Sequence, residues 1–369
     1  MEKTLRNSNL ELYRIIVMLL IIMHHYVVNS GLWDVILQNK WASQSIFLYL
    51  FGMWGKTGIN CFVLITGYFM CTKDISASKF FRLVFEVLFY TILFYIVFAI
   101  AGYYEVSIKS SFFLLVRPFR HLRNDFVSCF IVFYLFIPFL NILIKRLTSR
   151  QHLLLIILCM LFYSLLPSMH LIKISYSYVT WFMVLYFISS YLRFYWDDLF
   201  EKINTKYKIQ NTKFWVLMSI FWVTISVLSV FVAIYLNKDF TFFVADSNKL
   251  LAVMTSISLF MCFKDLKIKP SGFINTISAS VFGVLLIHAN SDTMRQWLWR
   301  DTLDNVGHYY SQYLWLHAIC SVIGVYIVCT IIDLLRIKFI EKPFFKVMEK
   351  RINNVEALIW NYYIKSKTN

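Results

Sequence analysis

The sequence predicts an all-α integral membrane protein, with about ten transmembrane helices in one bundle and both termini in the cytoplasm. Three observations carry that reading. Of the 369 residues, 59% are apolar and only 15% charged, whereas a soluble domain holds about a quarter charged residues. The apolar runs are long and show no period-two alternation, which excludes a barrel in favour of helices. Basic residues also gather on alternate sides of those runs, as the positive-inside rule requires.

The first run, at about 10–30, contains nine consecutive apolar residues, Ile15 to Met23. Others follow at about 45–71, 80–102, 126–146, 151–168, 176–196, 214–236, 246–264, 273–291 and 312–335. Each holds roughly 18–25 residues, enough to cross the hydrocarbon core. With the N-terminus inside, 24 of the 36 Lys and Arg fall on the cytoplasmic side and 10 on the other. Arg14 and Lys56 lie within spans. The net charge of +16 therefore orients the chain in a bilayer, and no nucleic-acid partner is expected.

Residues 1–345 are expected to form one membrane domain. Residues 346–369 are expected to form a basic amphipathic tail along the inner surface. The longest polar cytoplasmic segment, about 197–213, reads as a loop. Seven scattered cysteines lack CxxC or Cys/His metal spacing, so no metal and no disulfide framework is expected. A cleavable signal is not expected either, because the first run is long and carries Arg14. The absence of an internal repeat and only 10 glycines and 5 prolines weigh against a transporter of duplicated halves with broken helices.

Ionisable groups in hydrocarbon cost several kcal/mol and mark function. Arg14 and His25 are 11 residues apart, about 1100° of helical rotation, so they share one face about 16 Å apart. Glu11 lies about 60° from Arg14 and one turn earlier, within pairing reach, whereas His24 points about 100° away from His25. The face of Glu11, Arg14 and His25 must look into the bundle or a wet cavity. A histidine there can act as a general base on a hydroxyl, and an arginine nearer the cytoplasm can hold phosphate. The plainer alternatives are a snorkelling Arg14 and a hydrogen-bonded structural histidine. The segment 103–125 adds Arg117, Arg120, His121 and Arg123 on the side where the charge rule expects few, either as a solvated cluster or lining a cavity for an anionic group.

The acidic residue, the Arg three positions later and the His eleven further on resemble the opening signature of the membrane acyltransferase-3 family. Further segments are similar to the family in the same order. GINCFVLITGYF (58–69) has Thr66-Gly67-Tyr68 where the family has Ser-Gly-Phe. KFFR follows, with Lys79 and Arg82. YVTWFMVLYFISSYLR (178–193) has Ser189 for the usual Gly, and ISASVFGVLLIHAN (277–290) carries Ile287-His288. Asn124-Asp125-Phe126 stands where the family often has Tyr-Trp-Phe.

The resemblance covers about 10–345 and implies O-acetyl transfer from acetyl-CoA to a hydroxyl of a surface or lipid-linked polysaccharide, in a bacterial plasma membrane. It implies His25, Glu11 and Arg14 as catalytic residues, and Arg14, Lys79 and Arg82 as contacts for the CoA phosphates. His288, Trp181 and Arg120 would face the acceptor. Trp181 could equally be an interfacial anchor, and Thr66 and Tyr68 packing residues. A transporter or flippase for a glycan or anionic metabolite is the alternative, because intramembrane Arg and His also line translocation paths.

Overall fold

The computed structural model describes residues 7–73, 75–103, 113–203 and 210–365. Among them there are helices and no strand. The helices are α1 (Ser8–Val28), α2 (Leu32–Gln38), α3 (Ser43–Gly52), α4 (Gly55–Met70), α5 (Ala77–Ile100), α6 (Phe126–Arg146), α7 (Ser149–Ser168) and α8 (Tyr178–Phe194). They continue with α9 (Trp196–Ile203), α10 (Asn211–Tyr235), α11 (Leu250–Asp265), α12 (Gly272–Ser278), α13 (Val281–His288), α14 (Asp292–Thr302), α15 (Leu314–Arg336) and α16 (Lys342–Lys365).

Seven helical stretches among the described residues are long and apolar enough to cross a membrane, so the chain is a multi-pass membrane protein. These are Ser8–Val28, Ser43–Met70, Ala77–Ile100, Phe126–Arg146, Ser149–Ser168, Asn211–Tyr235 and Leu314–Glu349. The other three expected runs are helical but differ from simple spans. The helices α8 and α11 hold 17 and 16 residues. Twelve of the 17 in α8 are buried, including Ser189 and Ser190, so protein rather than lipid surrounds it and bilayer thickness does not set its length. The run at 273–291 is α12 and α13, followed after a short break by α14 at an angle of 94°.

The expected loop at 197–213 is also partly helical. In α9, Trp196, Leu199, Phe200 and Ile203 recur at helical spacing, and Asp197 and Asp198 occupy the first turn, where the helix dipole favours acids. Residues 204–209 of that segment, and 104–112 of the basic loop, lie outside the described residues. The expected boundary at 345/346 falls inside α16, whose Phe344 and Phe345 pack on Phe85 of α5 with ring centroids 4.7 and 5.5 Å apart.

The first helix is the hub of the bundle. It touches α3, α4, α11, α12, α13 and α15, and buries Tyr13, Val17, Met18, Ile22, Tyr26 and Val27 at 1% exposure or less. Interfaces between membrane helices lack a hydrophobic driving force and rely on close packing, which small residues permit. Gly67 of α4 meets Ser189 of α8 so closely that a Cβ on Gly67 would lie 2.0 Å from its Oγ.

Candidate active site

A glycine stripe sets the rotation of α1. Gly52, Gly55 and Gly58 face Val27, His24 and Ile21, one helical row against another. An added Cβ would come within 2.7 Å of Val27, 2.3 Å of the His24 ring and 2.8 Å of Ile21. His24 is held there, its Nδ1–H donating to the Gly52 carbonyl at 2.6 Å. The next residue is turned by about 100°, which carries His25 to the opposite neighbour, α13.

There His25 Nδ1 lies 3.0 Å from His288 Nε2. His288, fully buried, places its Nδ1 2.6 Å from the Val284 carbonyl. A carbonyl only accepts, so the proton of neutral His288 sits on Nδ1 and its Nε2 offers a lone pair. His25 must then donate from Nδ1, which leaves the lone pair of a neutral His25 on Nε2. This chain of hydrogen bonds from Val284 through His288 to His25 orients the His25 ring in the way a second partner orients a catalytic or metal-binding imidazole.

The His25 ring lines an upper cavity, at the Val28 end of α1, of about 240 Å³. Three cations line it: Lys56, Arg117 and Arg295. Lys56 donates to the Tyr178 hydroxyl at 2.8 Å, and Arg117 donates to the Asn290 carbonyl. Asp125, also in the wall, accepts from the Ser128 amide at 2.8 Å and caps α6. His288 therefore backs the cavity through His25.

Two of the residues expected to face an acceptor do not line this cavity. Trp181 is 0% exposed and donates its Nε1–H to Asn60 Oδ1 at 2.9 Å, so it lines neither this cavity nor an interface. The reason is rotation: α8 turns Tyr178, one turn earlier, to the cavity and Trp181 into the core. Arg120 is exposed, with its guanidinium 4.6 Å from the Phe113 ring centroid, and its neighbour Arg117 faces the cavity instead.

A lower cavity of about 890 Å³ opens at the Ser8 end of α1. Arg14, Lys79 and Arg82 line it together, with Arg336 and Lys342. Arg14 pairs with Glu11 at 3.3 Å, at the i, i+3 spacing. Lys79 and Arg82 arrive on the first turns of α5, which starts at the Ser76 cap. Arg82 pairs with Glu341 at 3.3 Å. Arg336 is only 2% exposed and is held by Glu86 at 3.0 Å, Asp333 at 2.8 Å and Glu341 at 2.6 Å. A buried guanidinium needs such partners, and this cluster fixes one wall of the cavity.

Phe126 lines both cavities. Its ring lies 6.4 Å from Phe62 and 5.5 Å from Phe130, and Phe130 lies 6.2 Å from Phe282. One face of α4 runs past this aromatic partition, with Gly55 and Ile59 in the upper cavity and Phe62 and Thr66 in the lower. The steps of four, three and four residues are those of a single helical stripe.

Several residues at the cavities were not singled out by the sequence reading. Lys56, noted only for lying in a span, and Glu86 line the cavities, and Asp333 pairs with Arg336 in the wall; all three are ionisable groups inside apolar helices, which the intramembrane-charge rule marks. Tyr178 and Arg295 carried no comparable signal, because their facing depends on helix rotation and on the bend before α14. Two departures from the family pattern sit on adjoining helices: Tyr68 accepts a hydrogen bond from Arg193 at 2.7 Å, and Ser189 packs on Gly67.

Among curated proteins and solved structures, nothing matches the chain. A family profile described as an acyltransferase domain matches residues 7–334. That stretch holds the Glu11, Arg14 and His25 signature, the His288 partner and every residue lining the upper cavity, whereas Arg336, Glu341 and Lys342 of the lower cavity lie beyond it; the match favours group transfer over transport. On that match, the chain belongs to the acyltransferase-3 family.

Proposed function

We propose that the protein moves an acetyl group from cytoplasmic acetyl-CoA to a hydroxyl of a surface or lipid-linked polysaccharide, in a bacterial plasma membrane. Ten crossings, with both termini in the cytoplasm, place the lower cavity inside and the upper one outside. Residues 346–369 then lie along the inner leaflet. The observation that carries this reading is the pair of cavities divided by Phe126, one basic and one holding His25.

The CoA phosphates occupy the lower cavity against Arg14, Lys79 and Arg82, as charge-assisted contacts favour. Arg336 is already committed to three carboxylates and serves the wall rather than the donor. The thioester end reaches past Phe126 toward His25, and the acceptor hydroxyl enters from the upper cavity. His25 Nε2 takes the hydroxyl proton as the oxygen attacks the thioester carbonyl carbon. The tetrahedral intermediate collapses, the carbon–sulfur bond breaks, and Nε2 returns the proton to the CoA thiolate. No proton is gained or lost overall, so the relay needs only to orient His25. Glu11 and Arg14 act at the other end of the same helix face, where Glu11 holds Arg14 in place.

Membranes containing the protein should transfer labelled acetyl from acetyl-CoA to glycan, and His25→Ala should abolish transfer while the protein still inserts. Cells lacking the gene should lose base-labile acetyl groups from their surface glycan. Unchanged acetylation in either experiment refutes the assignment.

A further inference from the structure

Lys56 is an ionisable group in an apolar helix, a placement that marks function, and the proton path through His25 leaves it unused. It is the second residue of α4, the helix whose one face passes from the lower cavity to the upper. Lys56 stands with Gly55 and Ile59 at the outer end of that face. The neighbouring Gly55 packs on the His24 ring. That contact seats Lys56 beside α1, close enough for its charge to act on His25. The ammonium is aimed by a fixed partner. One N–H donates to the Tyr178 hydroxyl at 2.8 Å, and Nζ lies 5.5 Å from the centroid of that ring. Tyr178 is 2% exposed, its amide donates to the Arg123 carbonyl at 2.9 Å, and its ring stacks on Phe182 at 5.5 Å. Phe182 in turn meets Phe126 at 5.6 Å, so the anchor rests on the partition that the thioester must pass. The Asp246 carboxylate acts electrostatically on Lys56, which gives the ammonium a counter-charge.

An ammonium has three donors, and Tyr178 occupies one. Arg117 and Arg295 reach the cavity from other segments and are engaged there, Arg117 with the Asn290 carbonyl and Arg295 with Asp292 at 2.8 Å. A carbonyl that passes Phe126 along α4 emerges between Ile59 and Lys56, opposite the helix that carries His25. We infer that Lys56 is a catalytic residue of the transfer: its Nζ–H donates to the thioester carbonyl oxygen as that oxygen takes up negative charge, and Tyr178 positions the ammonium. As the acceptor oxygen bonds to the carbonyl carbon, its proton passes to His25 Nε2 and the carbonyl π pair moves onto the oxygen held by Lys56. The pair returns when the carbon–sulfur bond breaks and Nε2 protonates the thiolate, so Lys56 keeps its protons throughout. A preorganised donor where charge develops stabilises the transition state more than the ground state, and therefore acts on kcat. This inference rests on the acyl-transfer reading and adds a second catalytic group to it.

The test uses the full chain in nanodiscs, with acetyl-CoA labelled in its acetyl group and, as acceptor, surface glycan isolated from cells lacking the gene. Lys56→Gln should lower kcat about 10²- to 10³-fold, the worth of one oxyanion donor, with the KM for acetyl-CoA and for glycan unchanged. Tyr178→Phe removes the anchor but leaves the ammonium, so kcat should fall only about tenfold. Added to Lys56→Gln it should cost little more, because both act through one group. Lys56→Cys should be as slow as Lys56→Gln. Its alkylation by bromoethylamine, confirmed by mass spectrometry, rebuilds an ammonium there and should raise kcat at least about tenfold. Wild type and Lys56→Gln treated alike show what the native cysteines contribute. Rates are normalised to the folded fraction, and the alkylation compares one folded sample before and after, so it decides even where Lys56→Gln fails to fold. A kcat for Lys56→Gln within about threefold of wild type, a loss confined to either KM, or no recovery on alkylation overturns the inference and leaves acyl transfer standing. No labelled glycan from the wild type, with no turnover of acetyl-CoA, overturns the acyl-transfer reading and the inference with it.

Discussion

If His288 sets the tautomer of His25, its removal should damage catalysis in a graded and recognisable way. The substitution His288→Ala deletes the acceptor that His25 Nδ1–H has among the described residues, the Nε2 atom 3.0 Å away. An unsatisfied buried donor costs about 1–3 kcal/mol. His25 can escape that cost by moving its proton to Nε2, which removes the lone pair from the cavity. Since 1.36 kcal/mol is tenfold in rate, kcat should fall about 10- to 100-fold. Removing the base altogether, in His25→Ala, should cost about 10²–10⁴-fold. The KM for acetyl-CoA should stay put, because the basic cavity lies about 16 Å along α1 from His25.

The assay is transfer of radiolabelled acetyl by the purified full-length protein, normalised to the folded fraction by size-exclusion chromatography. His288→Gln, which retains an acceptor oxygen, should recover part of the loss. Residues acting as a unit are not additive, so the double variant should be no slower than His25→Ala alone. Wild-type kcat in His288→Ala, or losses that multiply in the double variant, would refute the relay.

Three further outcomes follow from the same geometry. Arg14→Gln should raise the KM for acetyl-CoA about 10- to 100-fold, the worth of a charge-assisted contact, with a smaller effect on kcat; an unchanged KM in initial-rate kinetics would place the donor elsewhere. Phe126→Trp enlarges the ring shared by the two cavities and should block acetyl transfer while CoA still binds by calorimetry, whereas loss of CoA binding would show that Phe126 supports the fold instead of dividing the path. Trp181→Phe strands the Asn60 oxygen that its Nε1–H satisfies, at about 1–3 kcal/mol, so thermal unfolding in detergent should come earlier while acceptor KM is unchanged; a raised acceptor KM would return Trp181 to the acceptor site.

Much of the site was legible because α1 is one uninterrupted helix. Within it, spacing converts directly into direction, so Glu11, Arg14 and His25 could be placed on one side before any fold was known. The structure then supplies their partners: Glu11 pairs with Arg14, and His25 meets a residue 263 positions away. No local pattern could have joined His25 to His288, because that contact depends on how closely the Gly52, Gly55 and Gly58 stripe lets α3 and α4 approach. Two placements differ from expectation for the same reason. Residue type does not reveal facing: one turn of α8 puts Tyr178 at the upper cavity and Trp181 in the core, and Arg117 rather than Arg120 lines that cavity.

The sequence by itself determined the medium, the helical class and the shared face of Glu11, Arg14 and His25 on the first helix. Apolar length, charge asymmetry and a 3.6-residue period are local properties, set by the bilayer and the backbone. Only the tertiary structure decided that the basic groups form two separate cavities and that Phe126 stands between them. Those features depend on the rotation of each helix against its neighbours and on the 94° bend before α14. Rotation and bend are outcomes of side-chain packing between segments far apart in the chain.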